Sequence, residues 1–360
     1  MAKEEATLSR LAIHKKIGAH AAVIKDWLLE QIQKGKRQLL INIFFFLLII
    51  FILLNFAQIK QVGGLFKHII WYWFVIALFS QFLNFFSFAL HIKEVLKKVN
   101  EKVSLWFLTK LVIAMQFVDT IVPSQRIGGH IFIFKSLRQK VASKPKRSFT
   151  IFVSGIANFG VDFLIFVVAT IYAFFFIKAS IVRILLLIFT GIFFILYVPI
   201  SPFFFSSKGK PYVIAFFRKI PKKWLDRIIV NFSERAEGVF RGYYRAKRNI
   251  KAKDWFMPFF FMFLNRVFLY ITLFFVVLSF NQYVSLDKLI IAEIVTAGIA
   301  FFSYIKIGFF EGALALTLSA LGISYELAVT STIIFRLLNL WIPTIIGFFF
   351  FRGLMKEKQK

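Results

Sequence analysis

No cysteine occurs in the 360 residues, which excludes a disulfide framework, a thiol nucleophile and a thiolate metal site. Histidine is nearly as scarce: the five present are scattered, without metal-ligand spacing. No metal ion or cofactor is expected. Acidic residues number only 17 against 46 Lys and Arg. They form no DxD or His-x-x-x-Asp cluster, which counts against an embedded transferase acting on lipid or polyprenyl substrates. A cleavable signal peptide is also missing, because residues 1–38 are too charged to hold an apolar signal core.

Hydrophobic residues make up 59% of the chain, and 52 are Phe. A membrane span needs roughly 20 apolar residues. Six segments meet that requirement: 39–57, 69–90, 149–176, 184–205, 256–280 and 328–351. Two more, 103–134 and 289–322, are apolar but interrupted by Pro, Gly and charge. Most of their arms are short for a crossing, so they read as re-entrant hairpins. The expected fold is therefore all-α and integral to the membrane, with about six transmembrane helices and two hairpins.

The formal charge of +29 would suggest nucleic acid in a water-soluble chain. Here the positive-inside rule accounts for it, and no nucleic-acid partner is expected. Segments 1–38, 93–102, 135–147, 206–253 and 352–360 together carry 36 Lys and Arg. The alternate segments 58–68, 177–183, 282–288 and 323–327 carry 5. That split places both termini in the cytoplasm of a multi-pass protein, expected in the cytoplasmic membrane. The first hairpin then dips in from the cytoplasm and the second from outside. Span, span, hairpin, span occurs twice, with three crossings per half, so the halves have inverted topology. They are residues 39–178 and 179–351.

Outside the spans, residues 1–38 read as a cytoplasmic amphipathic segment, and 352–360 as a cytoplasmic tail. The insertion 206–254 holds 14 basic and 4 acidic residues, with Leu225, Ile228, Ile229, Phe232, Ala236, Val239, Phe240 and Tyr243 at helical spacing. A basic amphipathic helix on anionic lipid fits this pattern, as does a packed helix in a positive-inside loop.

Ionisable groups at membrane depth cost about 2.5–3.5 kcal/mol each and persist where they pair or line a polar site. They concentrate on the hairpins. The first reads Asp119-Thr-Ile-Val-Pro123-Ser-Gln-Arg126-Ile-Gly128-Gly129-His130, and the second Lys306-Ile-Gly308-Phe-Phe-Glu311. Each sets a cation beside glycine at the start of a helix, where free N–H groups attract an anion. The candidate binding residues are Arg126, Gly128, Gly129, His130, Lys306, Gly308, Glu311 and Arg336. Asp119, Asp162, Arg266 and Glu293 are secondary intramembrane charges. Glu311 has Lys306 and Arg336 as candidate partners. A lipid phosphate fits this chemistry, as does a small anion.

Gly308-Phe-Phe-Glu311-Gly312-Ala-Leu, followed by Leu321-Gly322-Ile-Ser, Ala328, Arg336 and Pro343 with Gly347, resembles the C-terminal signature of the lysylphosphatidylglycerol synthase/flippase transmembrane family. Pro123-Ser-Gln-Arg-Ile-Gly-Gly resembles its N-terminal motif. The likeness spans about 39–351. His130 and Ile133 stand where that family usually has an acid and an Arg, and Tyr304, Ile305 and Lys306 replace its Pro and Gly at the second turn. The resemblance implies a translocase of anionic or phosphate-bearing lipid. With Lys360 only nine residues past the last predicted span, it also implies that the soluble synthase domain is not part of this chain. Two alternatives stay open: a membrane transferase, and a non-catalytic partner of a separate soluble enzyme.

Overall fold

The computed structural model describes residues 69–121, 127–205, 252–302 and 308–356. The amphipathic segment 1–38, the first predicted span 39–57, nearly all of the basic insertion, the last four residues, Arg126 and Lys306 lie outside the described residues.

Every described element is helical. In chain order they are α1 Trp71–Lys98, α2 Leu105–Ile121, α3 Ile127–Ser136, α4 Lys144–Phe176 and α5 Ser180–Phe205. After the insertion come α6 Phe256–Leu278, α7 Leu286–Phe302, α8 Phe309–Ala320, α9 Tyr325–Arg336 and α10 Ile342–Lys356. A π-helical segment, Leu337–Trp341, joins α9 to α10 without a break. Among the described residues, four helices are long and apolar enough to cross a membrane: α1, α4, α6 and the α9–α10 rod. They coincide with four of the six predicted spans. Charge lengthens two of them beyond the apolar core, α1 to Lys98 and α4 from Lys144.

Burial in α1 is inverted relative to a water-soluble helix. Ser80, Gln81, Asn84, Ser87 and His91 are buried, while Trp71, Val75, Phe79 and Phe82 are exposed. Apolar side chains face outward because hydrocarbon solvates them, and polar side chains turn inward to find partners. The same outward apolar face appears on α4 and α5, with Phe174, Phe175, Leu187 and Ile195 exposed.

α1 and α6 lie antiparallel along their whole length. The Ile70 N–H donates to the Ser279 carbonyl at 2.8 Å, and at the opposite end Lys98 pairs with Asp254 at 3.0 Å. Between them Trp73 stacks on Phe275 at 5.3 Å, and the Ser80 hydroxyl donates to the Phe268 carbonyl. At the Lys98 end, Lys146 pairs with Glu101 and Gln139 donates to the Leu354 carbonyl. Segments 93–102, 135–147, 252–254 and 352–356 therefore gather at one end of the bundle. They belong to the set grouped by the basic-residue count. At the other end the Tyr172 hydroxyl donates to Asp287 at 3.0 Å, seating the start of α7 against the end of α4.

Both interrupted segments are helix–break–helix elements. α2 and α7 are each 17 residues, about 25 Å. α3 has 10 residues and α8 has 12, about 15 and 18 Å, short of the ~30 Å hydrocarbon core. The described arms start or end within a few residues of the expected bounds, and the residues between them, 122–126 and 303–307, lie outside the described residues.

Candidate functional site

The two hairpins use the same device. Near the end of α2, buried Asp119 accepts the Gly129 N–H from the first turn of α3 at 2.8 Å. A Cβ at Gly129 would strike Asp119 and Met115, so glycine lets the arms close on each other. Gly128 and His130 stand in the same turn and are engaged with neighbours. In the second hairpin Gly308 precedes α8 with φ 89°, a conformation that favours glycine. Its N–H donates to Glu311 Oε2 at 2.7 Å.

Glu311 also reaches outside its own hairpin. Its Oε1 accepts from Arg336 Nε, at the end of α9, at 2.7 Å. The guanidinium lies 4.5 Å from the centre of the Phe310 ring, which in turn stacks on Phe335. Of the two partners considered for Glu311, the structure shows Arg336.

These contacts revise one expectation. At each hairpin a helix-start N–H was expected to be open to an anion, but one such N–H is already taken by a carboxylate of the same chain. The physical cause is the one that would have drawn the anion. The helix start carries partial positive charge, and a nearby carboxylate takes it: Asp119 on the facing arm in the first hairpin, and Glu311 one turn along its own helix in the second.

A third cluster joins α4 to α6. Arg266 Nε and Nη2 donate to the two oxygens of Asp162 at 2.6 and 2.9 Å, and Nη2 also donates to Asn158 Oδ1 at 2.7 Å. This fork geometry suits a buried guanidinium–carboxylate pair. Glu293 on α7 and Tyr270 on α6 lie within electrostatic reach of it. The secondary charges thus separate: Asp162 and Arg266 form this cluster with Glu293 beside it, while Asp119 serves the first hairpin.

A polar stripe was not singled out in the sequence. Ser80, Asn84, Ser87 and His91 follow i, i+4, i+7, i+11 on α1, a helical period inside an apolar span that periodicity could have found. The Asn265 amide donates to the Asn84 carbonyl at 2.8 Å, and the Asn84 amide donates back to the Asn265 carbonyl. His91 sits where α1, α4 and α6 meet. Its Nδ1 donates to the Pro258 carbonyl at 2.8 Å, since that oxygen only accepts, and its Nε2 meets the Ser154 hydroxyl at 3.0 Å. Among the buried side-chain atoms of the described residues that lack a hydrogen-bond partner are Gln81 Oε1, beside this stripe, and Ser331 Oγ and Thr332 Oγ1 on α9. Thr332 stands one turn before Arg336.

Residues 39–347 match the family model described as lysylphosphatidylglycerol synthase TM region. No curated protein matches the chain. The matched stretch contains both hairpins, the Glu311–Arg336 pair and the Asp162–Arg266 cluster, and covers well over half of the sequence. The chain belongs to the lysylphosphatidylglycerol synthase transmembrane-region family.

Proposed function

We propose that the protein is a flippase-like translocase that moves a phosphate-bearing lipid, a phospholipid or an aminoacylated one, across the cytoplasmic membrane. The two halves are inverted repeats, the hairpins are re-entrant from opposite faces, and both termini are cytoplasmic. The basic insertion rests on anionic lipid, and a separate soluble enzyme that makes the substrate is a natural partner.

The observation that carries this reading is the position of Glu311. Its two oxygens occupy a guanidinium N–H and a backbone N–H at a helix start. Those are the donors a headgroup phosphate uses. An incoming phosphate competes with Glu311 for Arg336 and Gly308, and the positive charges of Arg126 and Lys306, which the sequence puts between the arms, would add attraction. Handing over these donors changes what holds hairpin 2 to the last span, which is the kind of differential contact a two-state transporter needs.

The test is translocation of a headgroup-labelled phospholipid in proteoliposomes, read by loss of label accessibility. The wild-type protein accelerates it, and Arg336→Ala or Glu311→Gln slows it by about 10- to 100-fold, the equivalent of a lost charged hydrogen bond. Wild-type rates in both variants would overturn the site. No acceleration by the wild-type protein would overturn the function.

A further inference from the structure

The last span is tied to both hairpins, and the tie changes at its π-helical segment. Before that segment, α9 belongs to hairpin 2: Arg336 binds Glu311, lies over Phe310, and Phe335 stacks on the same ring. After it, α10 belongs to hairpin 1. Thr344 and Thr120 share a hydroxyl hydrogen bond of 3.0 Å. Gly347 packs so closely on α2 that a Cβ would collide with the Ile113 carbonyl oxygen. Phe351 contacts Phe117 on α2 and Phe132 on α3, at 5.4 Å each between ring centres.

A π turn holds one residue more than an α turn and weakens the regular ladder of i→i−4 bonds, and such insertions cluster at functional bends. Here the π segment begins at the residue after Arg336. Just before it, Ser331 Oγ and Thr332 Oγ1 are buried without partners, although such hydroxyls commonly bond the carbonyl one turn back, as Thr330 does. The irregular π turn thus lies between the two places where the rod is gripped, Arg336 on one side and Thr344 on the other.

We infer that Leu337–Trp341 is a hinge, and that the last span is the element that couples the two hairpins. α9 moves as one body with hairpin 2 and α10 as one body with hairpin 1, so release of Arg336 at one hairpin changes the angle presented to the other. This deepens the translocase reading and rests on it for its purpose, but the hinge itself is measurable without transport.

Because the chain has no cysteine, pairs of introduced cysteines give clean spin-label distances in lipid nanodiscs. Tyr325→Cys with Met355→Cys spans the hinge, Tyr325→Cys with Leu316→Cys stays within the α8–α9 body, and Ile121→Cys with Ile345→Cys stays within the α2–α10 body. All five positions are exposed. A bend of about 20° between arms of ~21 and ~24 Å brings the two ends closer by only about 1 Å, and one of about 40° by about 3 Å. The hinge pair should show a second, shorter population displaced by that small distance and seen as a distribution broader than either control, with the ratio changed by Glu311→Gln, while each control pair keeps one narrow distance. A single unchanged distance for the hinge pair, or broadening of either control to match it, would overturn the inference. Two hinge populations with no lipid translocation would leave the hinge standing and remove the translocase reading. Translocation with one rigid hinge distance would do the reverse.

Discussion

Asn84 and Asn265 bind each other reciprocally, each side-chain amide donating to the other's backbone carbonyl across the antiparallel α1–α6 contact. These helices are the second predicted span of each proposed half, and a reciprocal pair is what the proposed inverted repeat would generate. Interhelical hydrogen bonds in membranes contribute about 0.6–2 kcal/mol. Asn84→Ala and Asn265→Ala are each expected to lower thermal stability in detergent. The double variant should lose close to the sum of the two, because each change removes only its own amide and leaves in place the backbone carbonyl that accepts from the other. A loss clearly below the sum would show that the two hydrogen bonds act as one unit.

The Asp162–Arg266 pair should behave asymmetrically. Removing one partner leaves a buried charge unpaired, at a cost of about 3–5 kcal/mol. Arg266→Ala is therefore expected to unfold at much lower temperature than Arg266→Met combined with Asp162→Leu, where neither charge of the pair remains. Equal loss in both variants would mean that shape at this crossing matters more than charge.

Two glycines in the last span predict opposite outcomes. At Gly347 a Cβ meets backbone of α2, which cannot swing away, so Gly347→Ala should cost about 1–3 kcal/mol and loosen α10 from hairpin 1. At Gly353 a Cβ meets nothing within 4 Å, so Gly353→Ala should be neutral or slightly stabilising, since alanine suits a helix better. Chemical denaturation of the purified protein compares them. Equal effects would contradict the close α2–α10 approach.

Sidedness can be read by labelling single cysteines in intact cells with a membrane-impermeant maleimide. Tyr283→Cys is expected to label from outside. Lys97→Cys, at the opposite end of the bundle, should label only after the membrane is opened. Both side chains are well exposed. The reverse pattern would invert the proposed topology.

The membrane class, the helical content, the grouping of loops into two ends and the two interrupted segments were all legible in the residues. Each rests on a local quantity: apolar run length, Lys and Arg counts, or a glycine or proline within a run. The family likeness rested on motifs around Glu311 and Arg336. Less legible was the stripe on α1, because isolated Ser, Asn and His vary little in hydropathy among so many Phe and Leu. The expectation of open helix starts failed at Gly129 and Gly308 for a related reason, since spacing cannot say which carboxylate folds back.

By itself, then, the sequence determined that this chain lives in a bilayer and where it must break its helices, because the cost of exposing backbone or charge to hydrocarbon acts on each segment separately. Only the tertiary structure decided which charges meet. Asp162 with Arg266, Glu311 with Arg336, and Asp119 with the Gly129 N–H are contacts between elements, set by how close packing aligns helices 10 to 104 residues apart in the chain.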